Sequence, residues 1–152
     1  MLLGIISDTH GLLRPEVDLA LHGVDLIIHA GDVGHPDVLA NLKRIAPVLA
    51  VKGNVDTAPW AHELPPTTVV EAGAATLYVL HNLDDLDLRP EVAGFQFVIT
   101  GHSHQPGQAA RDGVIYLNPG SAGPRRFHLP VTLARLDLAK RPWNAEFVEL
   151  VR

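Results

Sequence analysis

The amino-acid sequence predicts an α/β fold in which two mixed β-sheets pack on each other with helices along their outer faces. Two patterns carry that expectation. The first half alternates short apolar runs with amphipathic stretches, in a strand, helix, strand, helix, strand order that favours parallel pairing through helical crossovers. The second half turns to strands, several of them joined by short turns. The chain's 152 residues fit a single compact domain over 1–152, and a domain of that size buries roughly 68–70% of the surface its unfolded chain exposes.

The elements follow in order. Leu2–Ser7 is apolar, but no basic segment precedes it and no small-residue cleavage site follows it, so it reads as a buried strand. Pro15–Leu21 is a helix with Val17 and Leu21 on one face, and Leu26–His29 is the second strand. Pro36–Ile45 is the second helix, its apolar face made by Val38, Leu39, Leu42 and Ile45, and Val48–Val51 is the third strand. Pro15 and Pro36 suit a first helical turn, where the missing N–H costs nothing. Thr67–Glu71 and Ala75–Leu80 then flank a turn at Ala72-Gly73, and a helical segment near Leu86–Ala93 is confined by Pro90 to a first turn or a break. Phe97–Thr100 is a buried-strand run, and Gln108–Arg111 meets Val114–Leu117 across Asp112-Gly113, a strong hairpin signal. Thr132–Asp137 and Glu146–Val151 form a last pair around Lys140-Arg141-Pro142.

Composition narrows the chemistry. Apolar residues make up 47% and charged residues 19%, which is globular rather than disordered, and no apolar run approaches the ~20 residues of a membrane span. The expectation is a soluble protein with no membrane partner. Cysteine is absent, which excludes disulfides, iron–sulfur clusters, thiolate zinc sites and cysteine nucleophiles, and fits a cytoplasmic location. Any metal must bind through nitrogen and oxygen. A net charge of −5 argues against long nucleic acid as a partner, because phosphate backbones are held by clustered Lys and Arg.

In open α/β sheets ligands bind beyond the carboxyl ends of the strands. There the sequence places metal-competent groups each time: Ser7-Asp8-Thr9-His10, His29-Ala30-Gly31-Asp32, Lys52-Gly53-Asn54-Val55-Asp56, Leu80-His81-Asn82 and Gly101-His102-Ser103-His104. Oxygen donors and imidazoles together suit zinc, manganese, iron or nickel, and a carboxylate can bridge two cations. Gly31, Gly53 and Gly101 let the backbone turn sharply beside them. Taken singly, Asp8, Asp32 and Asn54 read equally well as caps or turn formers. As a set, each after a strand, they read as a metal site.

These blocks, with Asn118-Pro119-Gly120-Ser121, resemble the calcineurin-like metallophosphoesterases, and within them the small YfcE-type phosphodiesterases. The resemblance implies a four-layer sandwich of two mixed sheets flanked by helices. It implies a binuclear centre of two divalent ions, manganese first, with nickel, iron or zinc as alternatives. Asp8, His10, Asp32 and His104 would hold one ion; Asp32, Asn54, His81 and His102 would hold the other, with Asp32 as the bridge. A hydroxide shared by the two ions would attack phosphorus in line. Asp32 and Asn54 are thus the catalytic candidates. Asn54 can give a metal its oxygen and a phosphate its amide N–H, while Asp56 is an acceptor that orients a ligand or a loop. Arg125, with Arg126 beside it, is a candidate bidentate contact to the phosphate.

Two positions depart from the family pattern. The residue after the metal-binding Asn is often a His that assists the leaving group, but here it is Val55, which cannot donate a proton, so aryl esters should react faster than alkyl ones. Asn82-Leu83 stands after His81 where the family has Gly and His. The expected substrate is a small phosphate ester, with nucleotide diesters among the candidates. Trp60 and Trp143 are candidate anchors for a homo-oligomer. The alternative is a non-catalytic protein-assembly scaffold of the same fold, like the retromer subunit that resembles these enzymes, although all seven ligand positions here are metal-competent. His22, His29, His35, His62 and His128 read as satisfied or solvated side chains without a role. Asp84, Asp85 and Asp87 form a solvated acidic loop, with the flank of the site entrance as its other candidate place.

Overall fold

The structure, a computed structural model, describes residues 1–151. Strands β1 (Leu2–Ile6), β2 (Leu26–His29) and β3 (Val48–Ala50) alternate with helices α1 (Glu16–Ala20) and α2 (Pro36–Leu42). The second half contains β4 (Thr67–Ala72), β5 (Ala75–Leu80), a one-turn helix α3 (Pro90–Ala93), β6 (Phe97–Ile99), β7 (Gly107–Arg111), β8 (Val114–Asn118), β9 (Val131–Asp137) and β10 (Glu146–Val151). They form two five-stranded mixed sheets, ordered β10-β9-β1-β2-β3 and β4-β5-β6-β8-β7. Each has three parallel strands, β1-β2-β3 and β5-β6-β8, closed off by antiparallel neighbours.

Alternation along the strands decides what each face covers. Leu3 and Ile5 of β1 and Ile28 of β2 point between the sheets, where they meet Leu77, Val79, Phe97, Ile99 and Leu117 of the second sheet. Ile6 and Ile27 point the other way, under Val17 and Leu21 of the α1 segment and Val38 and Leu42 of α2. Tyr78, Leu80, Val98 and Val114 face outward from the second sheet and are covered by Leu83, Leu86, Leu88 and Phe95. The fourth layer is therefore mostly a loop with one helical turn at Pro90, where proline suits the first position.

Local differences from the expected elements have simple causes. Helix α2 ends at Leu42, not Ile45, and the chain continues in turns, because Pro47 disfavours helical geometry at Ala46. The β4–β5 turn is Gly73-Ala74, which lets Ala72 pair with Ala75. At the β7–β8 turn Asp112 and Gly113 have φ of 51° and 80°, the left-handed pair that a two-residue hairpin requires. Trp60 and Trp143 both pack within the chain, Trp60 against the outer cluster beside the helices and Trp143 against the inter-sheet core. Among the described residues no helix is long and apolar enough to cross a membrane.

Candidate metal centre

The carboxyl ends of both parallel trios converge at the seam between the sheets. Asp8 and His10 follow β1, Asp32 follows β2, Asn54 follows β3, His81 follows β5, and His102 and His104 follow β6. Backbone bonds stitch the loops together: Asp8 N–H to Gly31 O at 3.0 Å, His10 N–H to Asp32 O at 3.0 Å, and Gly101 N–H to His81 O at 3.0 Å. Asp8, His10, Asp32, His102 and His104 all have left-handed backbones, with φ between 48° and 70°. Such conformations cost on the order of 1 kcal/mol each or more in a non-glycine residue, and they persist where surrounding bonds over-determine them.

Each carboxylate divides its oxygens between scaffold and centre. Asp8 Oδ2 accepts from the Ser7 hydroxyl at 2.7 Å and from the His102 backbone N–H at 3.0 Å, across the sheet seam. Its Oδ1 is left facing Nε2 of His104 at 3.3 Å and Nε2 of His10 and His81, both at 3.8 Å. Asp32 Oδ1 accepts from Val55 N–H at 3.1 Å, and its Oδ2 faces His81 Nε2 at 3.2 Å and His10 Nε2 at 3.7 Å. Among the described residues Asp8 Oδ1, His10 Nε2, His81 Nε2 and His104 Nδ1 are buried without a hydrogen-bond partner. Buried polar atoms rarely stay unpaired. Donors that share one divalent ion at about 2.0–2.2 Å lie about 3–3.5 Å apart, close to the spacing seen here.

The carboxylates and imidazoles fall into two groups, Asp8, His10 and His104, and Asp32, His81 and His102, each with ligand atoms within 4.8 Å of one another. Asp32 Oδ2 lies within reach of imidazoles from both groups. Asn54, exposed, lines the open cleft next to the second group, together with His81 and His102. His81 Nδ1 lies 2.7 Å from the Ala30 carbonyl, which can only accept, so Nδ1 carries the proton and Nε2 presents its lone pair to the centre.

The electrostatics follow from the crowding. Burial disfavours a charged His81, but its contact with Asp32, the Ala30 carbonyl and the Asp8 charge outweigh that and raise its pKa. Burial also disfavours the charged form of Asp32, yet His81 and the Val55 N–H prevail and lower its pKa. His104 is lowered, first by burial and then by the nearby charges of Arg126 and His10, which its neighbour Asp8 only partly opposes.

Other residues support the centre without facing it. Asp56 is buried and accepts from Val33 N–H (3.1 Å), Gly34 N–H (2.9 Å) and Gly53 N–H (2.9 Å), which ties the β2 and β3 loops together and touches no ligand side chain. Asn118 donates to the Gly101 carbonyl (2.9 Å) and Ser103 Oγ (3.1 Å), holding the loop of His102 and His104, and Ser121 Oγ donates to Asp8 O at 3.1 Å. The Asn118–Ser121 block is therefore a buttress as well as a turn. Arg125 is exposed and directs Nη2 towards the Val151 carbonyl at 3.5 Å, at the end of β10, and it does not line the cleft. Arg126 is the arginine whose charge reaches the centre. His29, given no role from the sequence, is fully buried between Thr9 and Gly31. The available signal was its place as the one ring nitrogen pair in an apolar strand that ends two residues before Gly31.

A paired-sheet sandwich with an Asp, Asn and His cluster at its seam is the arrangement of a metallophosphoesterase. The chain belongs to the calcineurin-like phosphoesterase superfamily: the model of that domain matches residues 1–141. A probable metallophosphoesterase of Methanothermobacter thermautotrophicus is 35% identical over 150 residues, covering 90% of this chain and 87% of the relative. A phosphodiesterase of Methanocaldococcus jannaschii is 25% identical over 168 aligned positions, covering 98% of this chain and 100% of the relative. The structure of Vps29 from Entamoeba histolytica in complex with Zn²⁺ shares the fold, with a TM-score of 0.74, 22% identity, and coverage of 99% of this chain and 100% of that one.

Proposed function

We propose that the chain is a metal-dependent phosphodiesterase in which Asp32 bridges two divalent cations, manganese first among them, and that residues 1–152 act as one domain. The observation that carries this reading is the convergence of His10, His81 and His104 Nε2 on Asp8 Oδ1 and Asp32 Oδ2, with His10 Nε2, His81 Nε2 and Asp8 Oδ1 buried and without a hydrogen-bond partner among the described residues. Their chemistry fits hard or borderline cations, since each imidazole offers nitrogen, each aspartate oxygen, and no sulfur is present. Asp8, His10 and His104 would hold one cation, and Asn54, His81 and His102 the other. Cations held there would lower the pKa of water and would offset the negative charge that builds on the phosphate in the transition state.

This chain's own residues then position the substrate. Asn54, at the cleft, can turn its amide N–H to a non-bridging phosphate oxygen, which an aspartate could not do. The Nδ1–H of His81 donates to the Ala30 carbonyl, which keeps Nε2 aimed at the centre. Arg126 replaces Arg125 as the candidate guanidinium for a phosphate oxygen, since its charge already acts on His104. Val55, 44% exposed beside Asn54, offers no proton to a departing alkoxide. The names of the relatives support hydrolysis of a phosphate ester and, in one case, a diester.

The test is hydrolysis of bis(p-nitrophenyl) phosphate by metal-stripped protein re-supplied with Mn²⁺, alongside Asp32→Ala and Asn54→Ala. Metal-dependent turnover that falls at least about 100-fold in both variants is the expected result, given the size of transition-state charge stabilisation. No turnover with Mn²⁺, Ni²⁺, Fe²⁺ or Zn²⁺, despite two bound metals, would leave an assembly scaffold as the better reading.

A further inference from the structure

The cleft beside His81 and His102 has a volume of about 690 Å³ and leads away from the centre. His81 and His102, two of the three side chains of one donor group, line it together with Asn54, so this is the side on which a ligand meets the centre. Tyr78 and Leu80 give it apolar lining, and Tyr78 is fixed by stacking on Phe95 at 5.2 Å between ring centroids. Its remaining charges are Asp85 and Asp87 against Lys52. Neither aspartate makes an ion pair among the described residues. The turn that carries Asp85 is held in place, because Asn82 Oδ1 accepts from Asp84 N–H at 3.0 Å.

A second groove, of about 530 Å³, opens on the other side of Asn82 and His102. Its polar lining is amide and hydroxyl, from Gln105, Gln108, Asn118 and Ser103, with Asp84 as its acid and no Lys or Arg among the described residues. Both grooves that leave the centre past His102 are thus neutral to acidic. Arg126 acts on the His104 side. Unpaired carboxylates along a cleft repel a second anion and attract a cation, an effect that salt weakens.

We propose that the cleft selects a phosphodiester whose only negative charge is the reacting phosphate, favouring an ammonium-bearing arm over a neutral one and disfavouring an arm that carries a second anion. The proposal rests on the diesterase reading above. It assigns the acidic loop a part in substrate choice, through Asp85 and Asp87, that a merely solvated loop would not have.

The experiment uses three p-nitrophenyl phosphodiesters whose second arms match in size: choline, its uncharged 3,3-dimethylbutyl counterpart, and 3-carboxypropyl. The leaving group is the same throughout, so kcat/KM of the Mn²⁺-loaded enzyme reports the arm alone. The expected order is cation, neutral, anion, with about threefold between steps at low salt, from an exposed unit charge in high dielectric. The order should compress at 0.5 M NaCl and collapse towards equality in the Asp85→Asn/Asp87→Asn variant. Both residues are exposed, and ratios among the arms cancel any general loss of activity. Equal or reversed rates in the unsubstituted enzyme, or an order that survives the double substitution, overturn the charge selection while leaving the diesterase reading intact. Absence of p-nitrophenolate from all three overturns the diesterase reading, and this proposal with it.

Discussion

His29 shows how much of the centre depends on residues that never face it. The Gly31 N–H donates to its Nδ1 at 3.1 Å, so that nitrogen carries no proton, and Nε2–H must donate to Thr9 Oγ1 at 3.0 Å. The Thr9 hydroxyl in turn donates a hydrogen bond to the Val33 carbonyl at 2.8 Å. One neutral imidazole therefore joins the loops of Asp8 and His10 to that of Asp32. Burial lowers its pKa from 6.5 to about 4. Between those values the unfolded chain binds a proton that the folded chain refuses, so this stability is complete above about pH 6.5 and is lost as pH falls towards 4. The loss attributable to His29 is about 3 kcal/mol, from a shift of that size at 1.36 kcal/mol per unit. Denaturant melts of the metal-free protein between pH 7 and 4 should show a shallower decline for His29→Gln than for the native chain; parallel declines would rule out this source. The candidate metal donors were legible because each follows an apolar run that forms a strand. His29 was not, since Thr9 and Gly31 come to it from two loops that only the folded sheet brings together.

At the scale of the element, the loops after the strands matter more than the strands. Five of their candidate metal donors are left-handed, a strain held by the bonds from loop to loop, by Asp56 across the β2 and β3 loops, and by Asn118 and Ser121 from the β8–β9 connection. The supporting role of the Asn118–Ser121 block was not legible in the sequence, because the carbonyls it supports, Gly101 and Asp8, lie 17 and 113 positions away from their partners. Gly53 is the joint packed most closely against backbone: a Cβ there would overlap both Asp32 Oδ1 and the Asp32 backbone nitrogen. Backbone cannot step aside as a flexible side chain can. Gly53→Ala should therefore lower stability by about 1–3 kcal/mol, and it should reduce bound metal per chain, read by thermal melts and by elemental analysis. An alanine variant with native stability and native metal content would show that this approach is looser than described. The helices were less legible than the loops, since α1 and α2 span only five and seven residues and their ends are set by Pro47 and by packing on the sheet.

For the whole molecule, the two-sheet architecture was readable from the switch between helical and strand-like halves, and the sheets do form as two mixed sets. What periodicity could not show is that both parallel trios end at one seam, so that Asp8 and Asp32 come from one sheet and His81, His102 and His104 from the other. Nor could it show that Arg125 reaches the end of β10, because the strand lies beside its loop and that neighbour is far away in sequence. A centre assembled across the seam would join the two sheets when cations bind, and the proposed function makes Asp32 the group common to both sites. Titration of the metal-free protein with Mn²⁺, followed by electron paramagnetic resonance, examines that point without depending on any substrate. The account predicts two Mn²⁺ per chain with a spin-coupled spectrum that Asp32→Ala converts to uncoupled Mn²⁺. A single equivalent, or two equivalents whose spectra show no coupling in the native chain, would contradict it.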